Sequence, residues 1–352
     1  MGVGTLISMA FSGADEAVGR MELGDHLCLP YTHADERRAV LLAYVRGGLA
    51  AGHKIVYVAE QDSHEVLPAC LRPVPARLEP FAAAEPPRPP ALDPGRALES
   101  GRLVVRTVAE VAKATGGFDP DELMGLFATE IELALVQGYR GVRLTAERPL
   151  AWPASPDGHA AGPAAGSGAG PAAGVGAGSD AGTFAEEEAA AERFAACERR
   201  MAELFRTRRP QAMVLCQYDR NRFDAERLEE AESWHQGRVR ADDLYDDGRL
   251  RAAPLFGPPG LALSGRLDAG TRAALDRVLS WLPPEAGLVC LEMSGVAVCD
   301  EEGLRRAVEA GRTSGGRQRQ LLLRGVSPRL AVMLRETGLE RAPGVTIEEH
   351  AR

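Results

Sequence analysis

The sequence predicts an α/β protein in two parts: a mostly parallel sheet layered with helices, then a smaller α/β unit. Three observations carry this. Runs such as Lys54–Ala59 (KIVYVA) and Ala212–Gln217 (AMVLCQ) are almost unbroken in apolar character, as in strands covered on both faces. Between such runs lie stretches of helical period, for example Leu123, Leu126, Phe127, Ile131 and Leu135. Beyond residue 255 a fresh order begins, strand-turn-helix followed by alternating strands and helices.

Composition narrows the class. The 352 residues allow two or three domains, and 45% hydrophobic with 26% charged residues is ordinary for a globular chain. A net charge of −9 with no basic stripe argues against nucleic-acid binding. Lysine occurs only at 54 and 113, so arginine carries nearly all the positive charge. The six cysteines show no CxxC spacing, which points to reduced thiols and a cytoplasmic setting. Residues 1–20 lack a basic start followed by a long apolar run, and no stretch approaches about 20 apolar residues, so neither a secretory signal nor a membrane span is expected.

In chain order, residues 1–19 read as a frayed tail. Gly24–Leu29 reads as a short strand. Thr32 is the expected N-cap of a helix that has Asp35 and Glu36 in its first turn, carries Leu41, Tyr44, Val45, Gly48 and Leu49 on one face, and ends at Gly52 in a left-handed cap. After the strand at Lys54–Ala59, a helix is expected over Gln61–Leu71, and 72–94 is a Pro- and Ala-rich insertion. Leu103–Val108 is the next strand. Asp119 caps a helix with Pro120 at its first position, Gly138 stops it, and a strand follows at Gly141–Thr145. Residues 153–182 are almost wholly Ala, Gly, Pro and Ser and predict a disordered tether. A helix over Glu186–Phe205 carries Phe194, Cys197, Met201, Leu204 and Phe205 at helical spacing. The strand at Ala212–Gln217 and a helix after Asp224 complete the layer, with Arg238–Ala253 as a hairpin or irregular cover. The last part is expected to run Leu261–Leu282 as strand-turn-helix, Leu288–Met293 as a buried strand, a tight turn at Ser294-Gly295, and a helix opened by Asp300, Glu301 and Glu302. Strands at 319–326 and 344–349 flank a helix over 327–339.

Two family resemblances follow from particular residues. Gly24-Asp25-His26-Leu27-Cys28, Val56–Glu60, Ser100–Val104, Gly117-Phe118-Asp119-Pro120 and Cys216-Gln217-Tyr218-Asp219 resemble the MEDS domain, a sensory module named from methanogens, methylotrophs and a dichloromethane-responsive regulator. The resemblance spans about residues 20–253, and it implies a RecA-like α/β fold and the sensing of small organic molecules. Gly265–Asp268, Leu291–Val296, Asp300–Leu304 and Thr337-Gly338-Leu339 resemble the STAS domain of bacterial anti-sigma factor antagonists, over 255–352. That resemblance implies a protein partner, an anti-sigma factor or a histidine-kinase-like ATPase, meeting Asp300, Glu301, Glu302, Gly303 and Leu304. Switchable members carry a phosphorylatable hydroxyl after the loop Asp; Glu301 and Glu302 stand there instead. A phosphoserine carries about −1.5 to −2 charge near neutral pH, so two glutamates either imitate it permanently or simply favour a first helical turn.

In parallel sheets ligands bind beyond the carboxyl ends of strands. Glu60, Gln61, Glu147, Arg148, Gln217, Tyr218 and Asp219 emerge there and are the expected ligand-binding residues, together with His26 and Cys28. The His26–Cys28 pair faces one side of a strand, with Cys216 a third candidate ligand. Three readings stay open for it: a metal site, an effector or redox pocket, or packed strand residues. Two residues do not make a closed metal site, so no metal or cofactor is predicted. Gly47–Lys54 (GGLAAGHK) is no phosphate loop: His53 separates Gly from Lys, Ile55 replaces the magnesium-binding hydroxyl, and the order runs helix to strand. No GxSxG elbow or metalloprotease spacing occurs, and no catalytic residues are predicted. The expected function is a cytoplasmic signalling protein without turnover, whose first domain senses a small organic ligand or redox state and whose second binds a protein. The alternatives are a nucleotide-binding RecA-like ATPase and a scaffold built on self-association of the last domain.

Overall fold

The computed structural model describes residues 15–59, 94–147, 180–208, 210–223, 225–314 and 316–349. The expected helix at Gln61–Leu71 and nearly all of both insertions lie outside the described residues, as do Glu60, Gln61 and Arg148.

The first part is a seven-stranded sheet in the order β1-β7-β2-β6-β5-β3-β4. Its strands are β1 (Glu16–Ala17), β2 (His26–Tyr31), β3 (Lys54–Ala59), β4 (Leu103–Thr107), β5 (Val142–Ala146), β6 (Ala212–Asp219) and β7 (Gly237–Arg240). Every pairing in it is parallel. Residues on alternate sides of each strand enter two separate cores. Val56, Val58, Leu144 and Val214 join Phe127, Phe194 and Phe205 on one face; Ile55, Tyr57, Met213 and Leu215 join Leu41 and Tyr44 on the other. Burial on both sides explains why these strands read as continuous apolar runs.

The helices of this part are α1 (Ala34–Ala51), α2 (Pro94–Glu99), α3 (Val108–Ala114), α4 (Pro120–Val136), α5 (Asp180–Arg208) and α6 (Ala225–Ser233). Gly52 takes the left-handed conformation that ends α1, and the Asp119 carboxylate accepts from the Asp121 and Glu122 amides at the start of α4. The N-cap of α1 is His33 rather than Thr32, and no side chain caps it. Gly48 lets α1 approach the sheet, since a Cβ there would lie 2.4 Å from Ile55 and 2.6 Å from Arg143. α5 begins at Asp180, six residues before the expected start. Two expectations change at the edges of this sheet. Glu16 and Ala17, placed in a frayed tail, pair with Val239 and Arg240. The segment expected as a terminal hairpin or cover does contain a hairpin, but its two strands join the next sheet, and its start supplies β7 here.

That second sheet has the order β15-β14-β11-β10-β9-β8. It comprises β8 (Tyr245–Asp246), β9 (Leu250–Phe256), β10 (Pro259–Leu267), β11 (Leu288–Cys299), β14 (Gln320–Val326) and β15 (Val345–Glu349), with α7 (Arg272–Leu279), α8 (Glu301–Arg312) and α9 (Pro328–Glu336). A separate two-stranded ribbon pairs β12 (Thr313–Ser314) with β13 (Arg317–Gln318). β10, β11, β14 and β15 run parallel; β8 and β9 are antiparallel additions. The expected turn at Ser294-Gly295 is absent, because β11 continues unbroken to Cys299. The irregularity sits instead in its pairing with β10, whose register shifts between Ala262 and Ser264 and again after Gly265. Gly295 fits there because a Cβ would lie 2.5 Å from Ser264.

The two sheets meet. Phe256 packs against the α1-side core of the first part, and Gly257 leaves room for the His33 ring, 1.7 Å from where a Cβ would stand. Arg20 adds ion pairs to Asp246 at 3.5 Å and Asp243 at 3.9 Å.

Candidate functional site

Strand alternation divides the expected ligand-binding residues between the two faces of the first sheet. His26, Cys28, Cys216 and Tyr218 face α4 and α5; Glu147 and Gln217 face α1. The single site expected from strand ends is therefore two.

On the α1 face the groups satisfy one another. The Tyr57 hydroxyl donates to Glu147 Oε1 at 2.7 Å, and Arg37 lies 3.6 Å from the same oxygen. Arg37 Nε donates to Gln217 Oε1 at 2.6 Å, while Gln217 Nε2 donates to Thr145 Oγ1 at 2.8 Å. Asp219 ends the strand by accepting from the Asn221 amide at 2.9 Å, a turn-forming role.

The α4/α5 face holds a buried cluster that only partly overlaps the expected residues. β2 brings His26 and Cys28; β6, in register beside it, brings Cys216 opposite Cys28. α5 contributes Glu198, and the turn after α6 contributes His235. One ligand-type atom from each of His26, Glu198, Cys216 and His235 lies within 4.8 Å of the others. Cys216 Sγ is 3.4 Å from His26 Nε2, and Glu198 Oε2 is 3.6 Å from His26 Nε2 and 3.7 Å from His235 Nε2. The imidazoles lie 4.2 Å apart between centroids. Tyr218 donates its hydroxyl to Glu198 Oε1 at 3.1 Å, and His235 Nδ1 sits 2.8 Å from the Ala231 carbonyl oxygen. Cys28 stands aside, its thiol 3.5 Å from the Gly237 carbonyl.

Burial governs the charge of this cluster. Desolvation holds both histidines below their ordinary range, with mutual repulsion adding to the effect at His26 and the Ala231 contact partly offsetting it at His235, which falls to about 4. The same desolvation raises Glu198 to about 7, against the opposing hydrogen bond from Tyr218. It also pushes the Cys28 and Cys216 thiols up. A reactive cysteine needs a stabilised thiolate, and these environments do the reverse.

Glu198 and Cys216, with Thr145 and Gln217, also line a cavity of about 50 Å³. Val56, Val58, Phe127 and Met201 are among its apolar walls, between the sheet and helices α4 and α5. Its strand contacts come from the middle of β3 and β6 and the last residues of β5.

The Gly47–Lys54 run offers no phosphate cradle. It is the end of α1 and the start of β3, and Lys54 is buried with Nζ 3.2 Å from Gln137 Oε1 and 3.6 Å from Glu130 Oε2.

In the second sheet Asp300 caps α8, its Oδ1 accepting from the Gly303 amide at 2.6 Å. Of the five residues expected to meet a partner, two belong to the interior. Leu304 is fully buried, and a Cβ on Gly303 would lie 2.2 Å from the Leu267 carbonyl oxygen. Glu302 is half-buried and engaged by Arg305 and Arg306, the latter 2.8 Å from its Oε1. Glu301 is exposed. The pair of free charges foreseen at this turn is thus nearer to one. Neither glutamate is turned into the first sheet's cores.

Glu198 and His235 were missed in the sequence. Glu198 had a signal: it lies four residues after Phe194 and three before Met201, an acid on the apolar stripe of α5. His235 follows the end of α6, where periodicity says nothing.

Among the described residues no helix is long and apolar enough to cross a membrane. No curated protein matches the chain. Among solved structures the chain is similar to an anti-sigma factor antagonist from Mycobacterium paratuberculosis, at 18% identity and a TM-score of 0.24, covering 28% of this chain and 83% of that one. Residues 25–161 match the family described as the methanogen/methylotroph, DcmR sensory domain (MEDS), a span that includes His26 but not Glu198, Cys216 or His235. Residues 255–347 match the family described as Mlab, STAS domain. The chain joins a MEDS domain to a STAS domain.

Proposed function

We propose that this is a signalling protein without catalytic turnover, in which the MEDS part binds a small organic effector and the STAS part passes the bound state to a protein partner, an anti-sigma factor or a related histidine-kinase-like protein. The observation that carries the reading is the cavity of about 50 Å³ beside Glu198 and Cys216. That space, equal to a few water molecules, suits an organic molecule of a few heavy atoms with one polar group toward Glu198. Between the two sensing ideas, an effector is favoured over redox chemistry, because burial disfavours thiolate at Cys28 and Cys216.

α1 is the element through which the state would travel. Its Arg37 holds Gln217 and lies beside Glu147, while His33 at its head lies over Gly257 of the second sheet. An effector transmits only by favouring one arrangement of such a contact over another. The partner surface is the exposed part of the α8 turn, with Glu301 foremost.

The test has two arms on the full chain. A thermal-shift screen against one- to four-carbon alcohols, amines, acids and halides is expected to find a class that stabilises the protein, with the shift lost in Met201→Trp, which fills the cavity. No shift from any class, or an equal shift in the filled variant, refutes the effector reading. Capture of a purified anti-sigma factor with and without Glu301→Arg reads the other face: equal binding by both proteins removes the α8 turn as the contact.

A further inference from the structure

We propose that His26, Glu198, Cys216 and His235 form a tetrahedral site for a divalent first-row transition metal, zinc by preference. The residues come from four separate elements, β2, α5, β6 and the turn after α6, and converge in the interior of the sheet's α4/α5 face. Glu198 is 7% exposed, His235 4% and His26 0%.

Unpartnered atoms point to a cation. Glu198 Oε2 and His235 Nε2 are buried without a hydrogen-bond partner among the described residues, and they face each other at 3.7 Å. His235 Nδ1 is 2.8 Å from the Ala231 carbonyl oxygen, a group that only accepts, so Nδ1 carries the proton and Nε2 a lone pair. A lone pair aimed at a buried carboxylate oxygen calls for a proton or a metal cation between them, and the second imidazole and the thiol beside them favour the metal. His26 Nδ1 has no partner either, while its Nε2 stands 3.4 Å from Cys216 Sγ.

The spacing agrees with zinc. Metal–ligand bonds of about 2.0–2.3 Å in a tetrahedron place neighbouring ligand atoms roughly 3.3–3.7 Å apart. Three of the six edges are 3.4, 3.6 and 3.7 Å, and all six lie within 4.8 Å. The donor set of two imidazoles, a thiolate and a carboxylate suits zinc's borderline softness. Charge agrees as well: a divalent ion with one thiolate and one carboxylate is neutral overall. Both anionic ligands bind the ion in their deprotonated form, so any protons they carry leave on binding. The outer contacts have the form that supports such sites, with Tyr218 donating to the remaining Glu198 oxygen and Ala231 orienting His235.

The site shares Glu198 and Cys216 with the cavity of the signalling reading, but its test does not depend on that reading, since metal content is measured without effector or partner. Full-length protein, stripped with chelator and kept reduced, is titrated with Zn²⁺ against a chromophoric competitor. One zinc per chain is expected, with affinity lowered at least 100-fold in Cys216→Ser and in His235→Gln. Cys28→Ser, the strand neighbour outside the four, is expected to bind as wild type. Co²⁺ is expected to give a thiolate charge-transfer band that Cys216→Ser abolishes. If either ligand variant fails to fold, wild type and Cys28→Ser with the cobalt spectrum still decide. Less than one tenth of an equivalent in wild type, or a cobalt spectrum without thiolate character, overturns the proposal. So do unchanged affinities in folded ligand variants; the cluster is then a neutral polar network closed by the Glu198 proton.

Discussion

Replacing Glu198 by glutamine in metal-free protein measures what it costs to keep that carboxylate buried. Glutamine keeps an acceptor for the Tyr218 hydroxyl and nearly the same volume, and it cannot ionise. The fold raises Glu198 from an ordinary 4.5 to about 7. The native state therefore holds this proton more tightly than the unfolded chain does. Its stabilising contribution is complete below pH 4.5 and is lost as the pH rises through about 7. The gap corresponds to roughly 3 kcal/mol, at about 1.4 kcal/mol per pH unit. His26 and His235 act in the opposite sense: their lowered values make stability rise with pH up to their ordinary 6.5, so a wild-type curve alone mixes opposed slopes. The difference between Glu198→Gln and wild type removes that common background. Urea denaturation of both proteins with chelator, from pH 4.5 to 8, is expected to show the variant gaining about 3 kcal/mol on wild type across the range. Parallel curves would refute the argument, because they would mean that Glu198 titrates as if solvated.

Four further outcomes test the remaining assignments. Leu304→Ala is expected to cost about 2–5 kcal/mol by denaturation, as core truncations do, whereas Glu301→Ser changes stability by no more than about 0.5 kcal/mol. Gly303→Ala drives a methyl group into the Leu267 carbonyl and is expected to destabilise the STAS sheet by about 1–3 kcal/mol, seen as faster amide exchange in the first turn of α8. Lys54→Ala is expected to cost about 1–3 kcal/mol by removing a buried cation from beside buried Glu130, which keeps only Arg106. Calorimetry with magnesium and ATP is expected to give no binding heat in either Lys54→Ala or wild type.

Where local chemistry decided the structure, the sequence was readable. Asp119-Pro120 opened a helix, Gly52 closed one, Ser327 began another, and the runs at 54–59 and 212–217 became strands. One local signal went unused: Thr107 and Glu110 have capping-box spacing, and α3 begins there with both reciprocal hydrogen bonds in place. The errors lie where tertiary pairing prevails. β7 is four residues long and exists because β2 and β1 flank it. Gly295 reads as a turn but serves as the thin point where β10 crosses a shifted register. The candidate site was half legible. Alternation pairs His26 with Cys28, and Cys216 joins them only on the condition that its strand is a neighbour; Glu198 and His235 lie 172 and 209 residues from His26 on other elements, a proximity no short-range rule encodes.

Strand β6 serves both faces at once, with Cys216 and Tyr218 toward one helix layer and Gln217 and Asp219 toward the other. A single inserted or deleted residue before Cys216 would exchange the two sets, presenting an amide to His26 and a thiol to Arg37. Point changes along this ribbon can be graded in their effect, but changes of length cannot. In descendants of this chain, gaps should gather in the connections while the eight residues from Ala212 to Asp219 keep their count.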